Sequence, residues 1–395
     1  MSSCGEEPLR LKNSLDYRTI VTPFRSMHRL ARDVWVNLQI TPKRRQRWAQ
    51  WLASRIRASD AGEPGKRAVR IDRWFRWGLG GSGARVVATE AIDTETSCGT
   101  FWVKWCPEAD PHEFEISSLR MRRWRELHPQ LANRVPHVVD YSPDERLLVM
   151  ERCPGKPLSR LWWECVENQH RAADLATCVT KVGEWLREFS RGQTRYGPAI
   201  VPLIGEHGRL NDDHQLRVNG RRQIECRLQQ ADKAVHQLVN GGLTIAKRWS
   251  DRFDLGAITA SFSTDEPGGF MHGDMKPDNV LIDGDQFSVI DWWAAPCVGW
   301  PLPDAAVFAA AITALAPAPL RDTLRSCFLT AYLSEDNDER TMQAIDLIGT
   351  IWILRMAAEA LTRPFIPKSL TYRQRERLVR RVVLQSTVTE HRNVA

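Results

Sequence analysis

The spacing of apolar residues divides the chain into three stretches of different character. Between Thr41 and Ala58, Trp48, Trp51, Leu52 and Ile56 recur at i, i+3, i+4 and i+8, one face of a helix that Thr41-Pro42 would open. Lys43, Arg44, Arg45, Arg47, Arg55 and Arg57 make the remaining surface strongly basic. The run Ala61-Gly62-Glu63-Pro64-Gly65 then predicts a linker. From Ala68 to about Cys153 the pattern is that of short strands: Ala68 to Trp77, Arg85 to Ile92, Phe101 to Trp105, Val135 to Tyr141 and Arg146 to Met150. One helical segment, His112 to Leu127, interrupts them. Beyond Gly155 helices are expected over 158–168, 171–191, 221–240, 303–315, 320–333, 342–361 and 372–384, with 193–219 as a loop or insertion. Leu175, Val179, Val182, Leu186 and Phe189 form a buried helical stripe. The organisation expected is a basic helical extension over 1–67, a small strand-rich lobe over 68–153 and a larger helical lobe over 154–395.

Composition bounds this picture without sharpening it. A chain of 395 residues with 43% hydrophobic positions can build a sizeable core, and a net charge of +7 weakly favours anionic partners. Nucleic acid is not expected as a partner. The nine cysteines show no C-x-x-C pair and no regular spacing, which argues against a zinc site or a disulfide framework and fits a reducing, cytoplasmic setting. No run of about 18 apolar residues exists, and the first ten positions are polar. For the basic helix, packing on the body is the plainer reading and a peripheral membrane or polyanion contact the sharper one.

The candidate chemistry concentrates at His272-Gly273-Asp274-Met275-Lys276-Pro277-Asp278-Asn279, followed by Ile290-Asp291-Trp292. Val280 to Ile282 and Phe287 to Ile290 predict two strands joined by Asp283-Gly284-Asp285, a hairpin that would bring Asn279 and Asp291 to one edge. Such a set suits Mg²⁺-assisted phosphoryl transfer. Asp274 would accept or orient the proton of an acceptor hydroxyl, while Asn279 and Asp291 offer the hard oxygens that Mg²⁺ prefers. Upstream, Gly78 to Gly83 lies between two strand-like runs, and its glycines would let backbone N–H groups approach phosphates. Alone, that segment is equally a hairpin turn.

These motifs resemble the aminoglycoside phosphotransferase and choline kinase family. The resemblance runs over roughly residues 70 to 310 and implies an α+β, two-lobed protein-kinase-like fold, with a small antiparallel-sheet N-lobe and a larger helical C-lobe. The family's His-Gly-Asp-x-x-x-x-Asn loop is matched by His272 to Asn279, and its Ile-Asp-Trp by Ile290 to Trp292. The implied roles are Asp274 as base, Asn279 and Asp291 as metal ligands, and ATP with Mg²⁺ as cofactors. Lys104 would hold the nucleotide phosphates, and Glu113 or Glu115, with Glu115 preferred through its spacing to Leu119, would pair with it. Gly80, Gly81, Ser82 and Gly83 would cover the phosphates. Glu151 and Cys153 belong to the hinge string Leu147 to Gly155, where backbone groups would hold the base. His272 would brace the loop from within. Asp304 follows Pro303, where an aspartate is most often a helix cap; its family position implies anchoring of the loop.

The implied reaction is phosphorylation of a hydroxyl on a small molecule or glycan. Residues 155–261 carry no acidic excess, which argues mildly against a polycationic drug as acceptor. Trp162, Trp163, Trp293 and Trp300 are candidate platforms for a sugar or a cationic head group, although tryptophan is more often a core residue. Lys276 resembles the protein-kinase form of the loop and could reach the transferred phosphate, so a protein kinase is one rival. A nucleotide-binding scaffold without turnover is the other.

Overall fold

The computed structural model describes residues 40–59, 69–71, 76–77, 87–93, 100–105, 122, 125–126, 128–166, 168–205, 220–251, 253–262, 269–292, 297–334 and 339–362. Gly80, Gly81, Ser82, Gly83, Glu113, Glu115, Trp293 and the helix expected over 372–384 lie outside these residues. No helix among the described residues is long and apolar enough to cross a membrane.

The small lobe is an antiparallel sheet of β1 (Val69–Ile71), β2 (Arg76–Trp77), β3 (Val87–Asp93), β4 (Thr100–Trp105), β5 (Val138–Ser142) and β6 (Leu147–Glu151), ordered β1-β3-β4-β6-β5 with β2 beside β3. Alternation along β4 decides what each face does. Phe101, Val103 and Trp105 point outward with Leu147 and Val149, and helix α1 (Pro42–Ser59) covers them with Ile40, Trp48 and Leu52. Lys104 therefore points the other way, opposite Leu148, whose side chain belongs to the core of the large lobe.

Part of the basic character of α1 is spent on this docking. Arg44 lies over the rings of both Trp48 and Trp105, at 5.4 and 5.2 Å, and its Nε donates to Glu145 at 3.1 Å. Trp48 Nε1 donates to the same carboxylate at 3.0 Å, and Arg47 pairs with it. One acid on the β5–β6 turn thus ties down three side chains of the helix, while Lys43 and Arg47 remain exposed.

The chain leaves β6 through the hinge and forms β7 (Lys156–Pro157), which sequence spacing did not reveal because it is two residues long. β7 pairs with β9 (Val280–Asp283), itself paired with β10 (Gln286–Val289), so the hinge docks directly on the hairpin that Asn279 and Asp291 flank. Gly155 makes this possible. Its φ is +103°, and a Cβ there would lie 2.4 Å from the Ile282 carbonyl oxygen.

The helical lobe comprises α2 (Pro129–Ala132), α3 (Leu158–Cys165), α4 (Gln169–Gly205), α5 (Gly220–Asn240), α6 (Leu255–Ser261), α7 (Leu302–Leu315), α8 (Ala318–Leu333) and α9 (Glu339–Thr362). Helix α4 continues to Gly205, past the loop expected from 193; the Gly and Pro of that stretch are outweighed by helical continuity. Its stripe Leu175, Val179, Val182, Leu186 and Phe189 is buried, as the 3.6-residue period predicts. Helix α7 is buried almost all round and is the axis of the lobe. A two-stranded ribbon of β8 (Gly269–Met271) and β11 (Cys297–Gly299) brackets the loop between them.

Replacing Trp48 by Ala should destabilise the protein by about 3 kcal/mol, the usual cost of deleting a buried aromatic, read by urea denaturation. Gly155→Ala should cost about 2 kcal/mol through left-handed strain and the clash with Ile282. A loss below about 0.5 kcal/mol in either variant would show that the helix or the hinge is not seated as described.

Candidate active site

The loop begins where β8 ends. His272 is buried, and its ring meets Trp292 edge-on with centroids 4.4 Å apart; Trp292 is packed in turn against Phe189 and Trp185. Its two ring nitrogens are both engaged: Nδ1 accepts the Asp274 N–H at 3.2 Å and Nε2 contacts the Ile290 carbonyl at 3.0 Å. A carbonyl can only accept and an amide N–H only donates, so the ring must be the neutral Nε2–H tautomer. Burial agrees, pushing the imidazole down to about 4. His272 is a brace that joins the loop over 272–279 to the end of β10.

From below, Asp304 holds the same loop. Its carboxylate accepts the N–H groups of His272 at 2.5 Å and Gly273 at 3.0 Å. The capping role suggested by its place after Pro303 is not what the structure has: Pro301 is the N-cap of α7, with no side-chain cap bond, and Asp304 turns toward the loop. Burial raises its carboxyl to about 6, opposed by the backbone donors of His272, Gly273 and Met275 and by the charge of Arg227.

Above this support the polar side chains converge. Asn279 Nδ2 donates to the Asp274 carbonyl oxygen at 2.8 Å and to Asp274 Oδ2 at 3.2 Å, which turns its own Oδ1 away from Asp274. Lys276 Nζ lies 2.5 Å from Asp274 Oδ2. The Ile290 N–H donates to the Asn279 carbonyl at 2.8 Å, so β9 and β10 deliver Asn279 and Asp291 side by side. Asp291 has φ +68°, a left-handed conformation that a non-glycine residue adopts at a cost. Its Oδ1 meets Lys104 Nζ at 2.7 Å, and the ammonium, more than any other group, holds the carboxyl down to about 2. Asp274 and Asp291 both act electrostatically on His272, and Lys276 acts on Asp291, so both carboxylates and both ammonium groups share one site.

The structure thus brings Asp274, Lys276, Asn279, Asp291 and Lys104 together. Glu151 is exposed and Cys153 half-buried in the hinge, and the Glu151 N–H is taken by the His137 carbonyl at 2.8 Å. The tryptophan candidates separate. Trp162 and Trp300 are core residues, 1% and 5% exposed, and offer no ring face to a ligand, whereas Trp163 is 58% exposed on α3. One contact has no signature in the sequence: Ser159, at the start of α3, hydrogen-bonds Asp278 of the loop.

The donor set suits a hard divalent cation. Among the described residues no group of three or more His, Cys, Asp or Glu forms a metal cage. One ionised carboxylate with an amide oxygen beside it is instead the partial set used by Mg²⁺, which keeps waters and takes further oxygens from phosphates.

Comparison with known proteins places this geometry in context. The sequence profile of the phosphotransferase enzyme family matches residues 40–345, a span wider than the motifs and inclusive of α1. No curated protein matches the chain. Solved structures similar to it include an aminoglycoside 2'-phosphotransferase-IIIa in complex with GDP (13% identity, 87% of this chain and 99% of that one, TM-score 0.48). Others are a choline kinase from Cryptosporidium parvum Iowa II (12%, 87% and 95%, 0.44) and a macrolide 2'-phosphotransferase from Brachybacterium faecium (14%, 82% and 99%, 0.43).

The brace makes a pH prediction. His272 is ordinary near 6.5 when unfolded and about 4 when folded, so between those values the unfolded chain binds the extra proton and acidification destabilises the fold. Asp304, raised to about 6, works in the opposite direction over much of the same range. Comparison with His272→Gln isolates the imidazole: the stability advantage of wild type over the variant should shrink by roughly 3 kcal/mol from pH 7 to pH 4, at 1.36 kcal/mol per pKa unit. An advantage that stays constant across urea titrations in that range would contradict the neutral buried ring.

Proposed function

The chain belongs to the phosphotransferase enzyme family, and on that premise we propose that it is an ATP- and Mg²⁺-dependent kinase that phosphorylates a hydroxyl group of a small molecule or glycan. The observation that carries this reading is the convergence of Asp274, Asn279 and Asp291 around Lys104 and Lys276, on a loop held rigidly from beneath. Phosphoryl transfer asks for positioned charge more than for covalent chemistry, and this site is built from positioned charge.

Each residue then has a task. Asp291 and the outward Oδ1 of Asn279 would hold Mg²⁺, which when bound neutralises charge on the nucleotide phosphates. Lys104 binds the phosphates from the sheet side; its contact with Asp291 puts the ammonium within reach of the same place. Asp274 orients the acceptor hydroxyl and takes its proton. Lys276, on Asp274 Oδ2, stands ready to meet negative charge on the transferred group. The other carboxylate oxygen of Asp274 is left for the acceptor.

Lys276 is also the feature that supports a protein acceptor as second reading, because an ammonium two residues after the base resembles the protein-kinase loop. A screen of sugars, amino alcohols and antibiotics for ADP release, run beside protein substrates, separates the two. In that assay Asp274→Asn should lower turnover by about a thousandfold, within the range for loss of a general base, while Mg-ATP affinity changes less than about threefold. Nucleotide binding with no transfer to any acceptor by wild type would favour the scaffold and contradict the kinase.

A further inference from the structure

Helices α5 and α9 cross beside the loop support, and the crossing is unusually cationic for a protein interior. Arg227 of α5 is partly buried, and its Nε is fully enclosed with no hydrogen-bonding partner. Arg355 of α9 reaches the same face of α5, where its Nη1 donates to Gln230 Oε1 at 2.9 Å, three residues and about one helical turn from Arg227. The two guanidinium groups repel each other, and together with burial this lowers Arg227 to about 10. Glu359 is the carboxylate nearest Arg355 along α9, and at 3.9 Å it is a long contact.

The acid that Arg227 feels most is Asp304. That carboxylate is committed elsewhere, to the N–H groups of His272 and Gly273, and no ion pair joins it to Arg227. A guanidinium has five donors, and enclosing one without a partner is unfavourable, more so because the group is charged. A second arginine beside it raises that cost. An anion between them would remove it, with the bidentate geometry that arginine offers to carboxylates and phosphates. Arg227 lies close enough to Asp304 to feel its charge, and Asp304 holds the backbone that leads to Asp274, so an anion held at the pair would lie near that loop.

We propose that Arg227 and Arg355 form the recognition site for a carboxylate or phosphate group of the acceptor, so that the substrate is an anionic hydroxy compound. This rests on the kinase reading above and narrows it. It also gives a reason for the absence of acidic excess over residues 155–261, which would repel such a substrate. Arg227 is a specificity residue and takes no part in the transfer itself.

The test uses a cell metabolite extract separated by anion exchange into retained and unretained pools, each incubated with the full chain, Mg²⁺ and γ-labelled ATP. Label should pass to compounds of the retained pool. For the acceptor so isolated, Arg227→Gln should raise KM tenfold or more with kcat within about threefold, Arg227→Lys should recover part of the loss, and Arg355→Gln should act in the same direction independently. Unaltered Mg-ATP affinity in each variant reports an intact fold. Label confined to the unretained pool, or a fall in kcat at unchanged KM, would overturn the anion site and leave the kinase standing. Label in neither pool, with Mg-ATP bound, would remove the kinase reading and this inference with it.

Discussion

The packing of β4 between two cores fixes where the lobes meet, and the contact between Lys104 and Asp291 marks that place. That contact spans 187 positions of sequence and joins a strand of the small lobe to the end of the β9–β10 hairpin in the large one. Its existence follows from the pleat. Since Phe101, Val103 and Trp105 are claimed by the outer core under α1, the residue between them has to face the other lobe. Asp291 meets it from a left-handed backbone position. Both partners are therefore placed by packing, and the ion pair is a consequence of two well-defined cores meeting at a cleft. An ion pair alone would not place them, since such pairs are weak guarantors of geometry.

Rigidity beneath the cleft comes from neutral and buried groups. His272 spans from the Asp274 N–H to the Ile290 carbonyl, Trp292 packs on its ring, and Asp304 gathers the amides at the start of the loop. These bonds leave the loop little freedom and leave Asp274, Asn279 and Asp291 to face upward. The hinge adds a further constraint, because β7 pairs with β9 and any shift of the hinge moves the hairpin. Small lobe, hinge and the His272–Asn279 loop are thereby one connected framework.

Much of this was legible in the sequence, and the exceptions have physical reasons. The strands of the small lobe and the catalytic hairpin were visible because alternation and the Asp-Gly turn are local signals; so was the stripe of α4. Helix α4 outran its expected end, since Gly and Pro near 192–202 weaken a helix without obliging it to stop. The strands β7, β8 and β11 carry two or three residues each and are defined by their partners, which no local pattern reports. Likewise Asp304 carried the local signature of a cap, yet a loop more than 30 residues upstream in the chain claims its carboxylate. Trp162 and Trp163 are adjacent in sequence and opposite in fate, one enclosed and one exposed, because successive helical positions differ by about 100°. Arg227 drew no notice in a basic segment, since only tertiary placement separates a buried arginine from a solvated one.

In the proposed enzyme, Asp291 and its neighbours bind a nucleotide through a divalent ion. Calorimetric titration of ATP with and without Mg²⁺, on wild type and on Asp291→Ala, tests it most directly. Wild type should bind tighter with Mg²⁺ by a factor of about ten or more, roughly 1.4 kcal/mol, and the variant should lose that advantage. An Mg²⁺ advantage of equal size in both proteins, or none in wild type, would contradict it.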